Sequence, residues 1–430
     1  MHTNALFQLA LGLSSPWQVA RSEFDAEGFD GRGQLDLHID FPRGSRFGCP
    51  ECDAACPVHD TVEKTWRHLD FFQHQALLHA RVPRVSCGEH GVRIVTVPWA
   101  REGSGFTMLF EAYVMLLAPQ MPIAALARFL RVTDKRLWRV MHWHVGDARE
   151  SVDMSQVREL VVDETSRAKR HSYVSLFVEP AVRGEDGEME RSARVLFVAE
   201  GKSHKTFTDF AVDLKAHGGA ALKITDVCMD MSGAFQRGAA ETMPQAKITF
   251  DRFHVMKLVG EAVDDARRRE VKQHPELKGS RYTWLLNPQN LSSKGAQKLE
   301  GLSRLNLLTS KAYQMRLNLQ ELWAKASAEE ARRYLREWRK WVVRVARRPT
   351  DPDAVWVLEK MRSLARTMRE NEEGILNYFR ARQTSGVIEG INSMVQAARA
   401  RARGYRNPET FKTMIYLIAG RLRFQLPATH

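Results

Sequence analysis

The 430-residue chain carries 64 Lys and Arg against 51 Asp and Glu, a formal charge of +13, and 44% of its residues are hydrophobic. This composition excludes a disordered chain and leaves room for two to four domains with proper cores, while no uninterrupted apolar run is long enough to cross a bilayer. The positive balance favours an anionic partner, because basic surface gains from displacing the counterions of a phosphate backbone.

The N-terminal MHTNALFQLALGLSSPWQV has a modest apolar stretch but no basic lead, and the acidic segment that follows is unlike a secretory signal. Alternation in QLDLHIDF predicts a strand. Three of the five cysteines, Cys49, Cys52 and Cys56, then crowd together, which suits a metal site in a reducing compartment better than a disulfide framework. Cys49-Pro-Glu-Cys52 and Cys87-Gly-Glu-His90 each offer two ligands spaced by two residues, so that tight turns can present all four to one tetrahedral structural Zn²⁺. Cys56 or His59 could replace a member of that set, whereas Cys228 lies in an apolar strand context and reads as core. The remainder of this module reads as short-stranded, closed by VRIVTVPWA, and residues 1–102 are taken as one N-terminal zinc-finger module.

From Gly103 the pattern is helical: FTMLFEAYVMLLA, PIAALARFL and DKRLWRVMHWHVGDAR, with Pro119 and Pro122 at the first break and Thr133 or Asp134 able to cap the third helix. The last two helices predict a helix-turn-helix over 103–155. Ala125 and Leu126 are expected to pack inward, the turn to fall near Val132, and Lys135, Arg136 and Arg139 to face DNA; Trp138 and Trp143 read as core.

Strand-like RELVVDE, SYVSLFVEP, RVLFVAEG, ALKITDVCMD and AKITFDRF follow, with helices FTDFAVDLKAHG and SGAFQRGAAETM before the fourth and fifth. Three strands, a helix, a strand, a helix and a strand match the order of an RNase H-like core, expected as a first part over 156–254. Residues 255–382 are almost wholly helical and read as an insertion, and 383–430 return with helices that would complete the core. The expected fold is therefore multidomain α/β: an RNase H-like catalytic core with a large all-helical insertion, preceded by a zinc-binding module and a helix-turn-helix. Trp338 and Trp341 in the insertion, at helical spacing, read as packing residues.

Three carboxylates stand out. Asp163 ends an apolar strand in LVVDET, where an isolated charge is costly unless a cation compensates it. Neighbouring Glu164 points to the opposite face. Asp230, in DVCMDMSG, sits at a strand end where sites on open α/β sheets fall, and is preferred over Asp226. Glu389 lies on a helix between Gly386 and Gly390, which permit close approach of backbone or nucleic acid. Such distant carboxylates can converge on paired divalent ions, which clamp the oxygens of a phosphodiester exchange. Asp251 and His254, in FDRFH, read as supporting groups.

The run from TWRHLDF and ARVPRVSC through VVDET, CMDMSGAF, FDRFHVMKL, LKGSRYTWLL and GILNYF to GVIEGINSMVQAARARARGYRN resembles the bacterial insertion-sequence transposases of the ISL-three type, over nearly the whole chain. The resemblance implies a zinc finger, a helix-turn-helix and a DDE domain whose triad falls on Asp163, Asp230 and Glu389. It further implies two Mg²⁺ ions, for which Mn²⁺ can substitute, and recognition of terminal inverted repeats in double-stranded DNA. Arg252 and the basic run Arg399, Arg401, Arg403 and Arg406 are expected to hold phosphates. A homodimer or higher oligomer on DNA, no membrane association, and a bacterial cytoplasmic, nucleoid-associated location complete the expectation. Two rivals are a sequence-specific regulator with an inactive nuclease core and a structure-specific host nuclease of the same fold.

Overall fold

The computed structural model describes residues 3–168, 172–183, 189–347, 352–381 and 386–427. The backbone forms two compact units, one running to Ala148 and including the stretch from Arg423, the other spanning Arg149–Leu422.

The first unit opens with helix α1 (Thr3–Ala10), strand β1 (Gln18–Asp25), the short helix α2 (Gly28–Gly31) and strand β2 (Gln34–Asp40). Strands β3 (Arg46–Gly48), β4 (Ala55–Phe71), β5 (His74–Cys87) and β6 (Gly91–Ile94) follow. The sheet order is β1-β2-β5-β4-β3, with β6 on the end of β5. QLDLHIDF is the expected strand, burying Leu35, Leu37 and Ile39 on one face. The short-stranded reading of the module is corrected: β4 and β5 form a 17- and 14-residue hairpin, and only Val92–Ile94 of the expected closing strand is extended in the sheet, within β6. Charged residues such as Glu63 and Lys64 within β4 hide its length, because that stretch faces solvent on both sides.

Helices α3 (Met108–Leu117), α4 (Ile123–Leu130) and α5 (Asp134–Glu150) come next. Thr107 caps α3 by accepting from the Phe110 N–H. Helix α4 ends at Arg131, whose φ of 56° is left-handed, so the chain turns at Arg131 and Val132 into α5 as expected. The inward residues of α4 are Ile123, Leu126, Ala127 and Leu130; Ala125 is only half-buried, a correction of one position in the helical phase. Trp143 is also not core: it is 43% exposed, and the Arg101 guanidinium lies 4.4 Å from its ring centroid. Beneath it, fully buried Glu111 accepts from His144 Nε2 at 2.7 Å, Arg101 Nε at 2.9 Å and Ser104 Oγ at 2.5 Å. Burial works against the charge, but these bonds hold the Glu111 pKa below its ordinary value. Glu111→Ala would strand His144 and Arg101, so a loss of about 3–5 kcal/mol is expected. An early thermal transition would report it, and an unchanged melting profile would show that the cluster adds nothing to stability.

The second unit contains β7 (Glu159–Ala168), β8 (Ser172–Glu179), the two-stranded ribbon β9 (Val182–Arg183) and β10 (Met189–Arg191), and β11 (Arg194–Glu200). Helix α6 (Lys205–Ala216), strand β12 (Asp226–Met229), helix α7 (Gly233–Thr242) and strand β13 (Lys247–Phe250) complete the sheet, in the order β11-β8-β7-β12-β13. β7, β8 and β11 are antiparallel neighbours, whereas β12 lies parallel to both β7 and β13. All five expected strands are present, but ALKITDVCMD extends only from Asp226, since Ala221–Lys223 form a 3₁₀ turn. One face of the sheet is aromatic: Phe177 stacks on Phe210 at 4.5 Å and meets Phe207 at 5.1 Å, beside Val162. Side chains alternate along β7, so Asp163 and Thr165 face the other way, toward a C-terminal helix.

Helices α8 (Arg252–Glu270), α9 (Arg281–Leu285), α10 (Ser293–Ser303), α11 (Leu308–Gln320), α12 (Ala328–Ala346), α13 (Pro352–Val357), α14 (Glu359–Glu370) and α15 (Glu372–Ala381) follow β13. Their apolar stripes, such as Leu335, Trp338 and Val342 of α12, join the sheet's core in one continuous cluster. Trp338 is 2% exposed and donates to the Met315 carbonyl at 2.9 Å, which makes it the packing residue its spacing suggested, and Trp341 packs partly buried beside it. Buried Glu270 accepts from the Leu308 and Thr309 N–H groups, both at 2.7 Å, and so satisfies the open N-terminus of α11. Gly374 lets α15 press on β13, for a Cβ there would lie 2.4 Å from Phe250. The change of segment expected at residues 382–383 lies outside the described residues. Helices α16 (Gly386–Arg401) and α17 (Pro408–Ala419) end the unit.

Candidate active site

The parallel register of β7, β12 and β13 sets the middle of β7 beside the C-terminal ends of β12 and β13. Cys228 pairs with Val161 and Met229 with Phe250, so Asp163, Asp230 and Asp251 emerge on adjacent strands. The Asp251 N–H donates to the Met229 carbonyl at 3.0 Å, which ties the β13 end to that of β12. Asp251 also caps α8, its side chain accepting from the His254 N–H at 3.3 Å. The His254 ring lies between two acids, with Nδ1 3.4 Å from Asp251 Oδ2 and Nε2 3.9 Å from Asp163 Oδ1.

Helix α16 contributes from the facing side. Asn392 Nδ2 donates to Asp163 Oδ2 at 2.8 Å, and Gln396 Nε2, one turn on, donates to Thr165 Oγ1 and the Ser166 carbonyl, both at 2.8 Å. Glu389 lies three residues before Asn392, on the same side of the helix, and is exposed. A Cβ on Gly390 would meet nothing within 4 Å, so the backbone beside Glu389 is open. Asp230 holds the turn into α7 by accepting from the Ser232 N–H at 2.9 Å. Asp226, the weighed alternative, begins β12 at the opposite end of the strand.

Burial raises the Asp163 pKa to about 6; the charges of Asp230 and Glu164 add to the rise, and His254 and the Glu164 N–H oppose it. Among the described residues no Lys or Arg pairs with Asp163 or Asp230 within 4.0 Å. Asp251 Oδ1 and Asn392 Oδ1 are buried without a hydrogen-bond partner among the described residues. Clustered acids with no Lys or Arg partner among the described residues, and acceptor oxygens left unsatisfied, form a donor set that fits hard divalent cations. Cys228 behaves as core, fully buried with its thiol pushed up to about 12 by desolvation.

Beside this site a cavity of about 910 Å³ is lined by Arg167, Gln396, Arg399, Arg403, Tyr405 and Arg406. Of the expected phosphate-binding residues, Arg401, Arg403 and Arg406 are exposed. Arg399 is instead half-committed to the fold, donating to the Ser166 carbonyl at 3.1 Å and to Gln396 Oε1 at 2.6 Å. Arg252 rests against the Phe253 and Tyr378 rings, 5.0 and 6.0 Å from their centroids. Three residues here escaped sequence reasoning: Asn392, Gln396 and Arg167. Asn392 and Gln396 stand three and seven positions after Glu389, a helical spacing that could have revealed them; Arg167 had no such signal.

In the first unit the ligand atoms of Cys49, Cys52, Cys87 and His90 lie within 4.8 Å of one another. Cys52 Sγ is 3.7 Å from Cys87 Sγ, and His90 Nδ1 is 3.6 Å from Cys87 Sγ and 3.8 Å from Cys49 Sγ. Metal–sulfur bonds of about 2.3 Å in a tetrahedron put ligand atoms about 3.8 Å apart, whereas a disulfide would need about 2.05 Å. The set therefore fits structural zinc. Each pair sits on a tight turn: Asp53, with φ 55°, donates its N–H to the Cys49 carbonyl, and Gly91, with φ 70°, turns the chain from Cys87 into β6. The His90 and Glu89 N–H groups and the His90 ring bring the Cys87 thiol down to about 6, toward the thiolate that binds metal. His90 Nε2 faces Glu51 at 3.6 Å, which orients the ring. Cys56 borders the set, its thiol interacting with Cys87 while donating to the Ala54 carbonyl at 3.1 Å, but is not among the four mutually close ligand atoms; His59 pairs with Asp60 at 3.4 Å.

In the helix-turn-helix, Lys135 and Arg139 are exposed on the first turns of α5. Arg136 is partly engaged, its guanidinium 4.1 Å from the Phe106 ring centroid and its pKa lowered by burial.

A Cys/His set that fits zinc, a helix-turn-helix and an acid cluster on a mixed sheet are features of a protein that acts on DNA. Family comparison is specific: residues 160–415 match the ISL3 DDE model described as a transposase, 95–145 the helix-turn-helix domain of transposase family ISL3, and 45–90 the zinc finger of the IS204/IS1001/IS1096/IS1165 transposases. The chain belongs to the ISL3 family of DDE transposases, enzymes that cleave DNA and transfer its strands. Among curated relatives, the transposase for insertion sequence element IS1001 of Bordetella parapertussis is 27% identical over 84% of this chain and 86% of its own length. The transposase for IS1557 of Mycobacterium tuberculosis is 25% identical over 100% of this chain and 98% of its own. Among the described residues no helix is long and apolar enough to cross a membrane.

Proposed function

We propose that the chain binds the terminal inverted repeats of its insertion sequence and cleaves and transfers their strands with a triad of Asp163, Asp230 and Glu389. The carrying observation is the bond from Asn392 to Asp163, which docks the Glu389 helix on the part of β7 that neighbours Asp230. The sheet order β11-β8-β7-β12-β13 supports an RNase H-like core, and the helices between β13 and α16 support an insertion within it.

Asp163 would be shared by two Mg²⁺ ions, or Mn²⁺ in their place, with Asp230 and Glu389 each completing one site. Bound there, the ions would supply Lewis-acid stabilisation to the attacking and leaving oxygens of an in-line phosphodiester exchange. The protein's own groups set the stage. Asn392 and the Glu164 N–H each hold one oxygen of Asp163, which fixes the carboxylate plane, and His254 bridges it to Asp251. Arg403 and Arg406 line a cavity that can take the strand's phosphates. Repeat recognition is assigned to the zinc module and to Lys135 and Arg139, with Arg136 positioned by Phe106. Two element ends need two active sites, so at least a dimer is expected on DNA. We place the enzyme in the bacterial cytoplasm, on the nucleoid.

The proton on Asp163 competes with a cation. A carboxyl with a raised pKa holds its proton up to about pH 6, so divalent-ion affinity is expected to be full above that value and to fall by about tenfold per pH unit below it. Titration calorimetry with Mn²⁺ between pH 5 and 8 measures this, and pH-independent binding would remove Asp163 from the ligand set. The function itself is tested by incubating the protein with labelled repeat-end DNA and a target plasmid. A free 3′-hydroxyl at the repeat end, followed by joined product, is expected; cleavage that follows DNA structure without regard to the repeat would favour a host nuclease.

A further inference from the structure

We propose that the groove between α12 and α14 is a second DNA-binding surface, one that grips the duplex phosphate backbone without reading its sequence. The groove encloses about 600 Å³. Its walls are two helical stripes: Arg336, Arg344 and Arg347 from α12 and its end, and Arg362, Arg366 and Arg369 from α14. The spacings 336, 340, 344 and 347, and 362, 366 and 369, recur every three or four residues, so each set lies along one side of its helix.

The groove's charge is only partly compensated from within. Glu337 holds Lys340 at 2.8 Å and also feels Arg336 and Arg344, and Glu372 holds Arg339 at 2.6 Å, but among the described residues no carboxylate lies within 4.0 Å of the other six cations. Like charges packed this closely repel, and the arrangement is stable only in water and salt or against a polyanion. The floor is apolar, formed by Val343 and Ala365, which lowers the local dielectric and strengthens attraction to a phosphate. Guanidinium forks match phosphate oxygens, whereas among the described residues no Asn, Gln or aromatic side chain lines the groove to read a base edge or stack on one. The α12 stripe runs about 16 Å at 1.5 Å per residue, the rise of about five base pairs.

This inference rests on the DNA-transposing function proposed above, and its test separates the two. With the full-length protein, the affinity for a repeat-end duplex and for a scrambled duplex is titrated between about 50 and 200 mM salt. Arg344→Ala/Arg362→Ala/Arg366→Ala is expected to reduce the slope of log affinity against log salt by about 2–3, by the same amount on both duplexes, at about 0.9 per phosphate contact. A charge-matched control outside the groove, Lys278→Ala/Lys294→Ala/Arg304→Ala, should keep the wild-type slope. Removing clustered like charges should not lower the melting temperature. Should the triple variant melt early, Arg366→Ala against the charge-retaining Arg366→Lys carries the test, with about one unit lost in the first and none in the second. Wild-type binding with an unchanged slope in the groove variants overturns the groove alone. Failure of the wild type to bind either duplex overturns the DNA reading and the groove with it.

Discussion

Asp163→Asn is expected to reduce repeat-end cleavage at least about a thousandfold, equivalent to about 4 kcal/mol of transition-state stabilisation, while leaving repeat affinity within about twofold. The substitution keeps the side chain's shape, so Asn392 can still bond to the remaining carbonyl oxygen, but it removes the charge that makes the cluster a cation site. Relief of the buried, unfavourable charge at pH 7 should leave stability unchanged or slightly higher, because the folded protein already holds the Asp163 pKa up at about 6. Gel assays of cleavage and binding, together with a melting curve, separate these effects. Near-normal cutting by the variant would remove Asp163 from the triad. A wild type that binds but never cuts would favour a regulator with an inactive core.

Removing the metal from the Cys49, Cys52, Cys87 and His90 set is the second large effect. Structural zinc supplies about 10–16 kcal/mol of apparent binding free energy in small modules, comparable to the whole stability of a domain. Its ligands join the turn after β3 to the β5–β6 turn, so Cys87→Ser should release one end of the long hairpin. Repeat-specific binding is expected to fall at least about a hundredfold, about 2.7 kcal/mol, toward the level of sequence-independent binding. Zinc content by atomic absorption should drop from one equivalent to none. Cys56→Ser, outside the set, should retain both metal and binding. Equal loss in Cys56→Ser would show that the assigned ligands are wrong.

The two candidate metal sites were unequally legible in the sequence. Cys-x-x-Cys and Cys-x-x-His are local patterns, and a two-residue spacing on a tight turn fixes where the side chains converge, so a four-ligand set could be read locally, with Cys56 and His59 left as alternatives. The acid cluster depends on register between strands far apart in the chain, which no local pattern encodes. Asp163 was visible because a carboxylate after three apolar strand residues is costly, and Asp230 because it closes a strand before a Ser-Gly turn. Glu389 is exposed on a helix, where flanking Gly386 and Gly390 were its only local sign; family resemblance made it a member of the triad. The Asn392 bond that docks its helix was missed for the same reason. Elsewhere, helical phase misplaced Ala125, and Trp143 looked apolar enough for the core although Arg101 covers it at the surface. The α12–α14 groove had no sequence signal, since it exists only when two cationic stripes from separate helices oppose.

The most direct test of the triad is the assay that includes Glu389, the member with the least local signature. Labelled DNA ending in the element's own terminal repeat is incubated with Mg²⁺ and wild-type protein, Asp163→Ala, Asp230→Ala or Glu389→Ala, with binding measured in parallel. The account predicts cutting at the repeat end by the wild type alone and comparable binding by all four. Cutting by Glu389→Ala at the wild-type rate would contradict the assignment of the α16 carboxylate to the site, and normal cutting by Asp230→Ala would remove Asp230 from the triad.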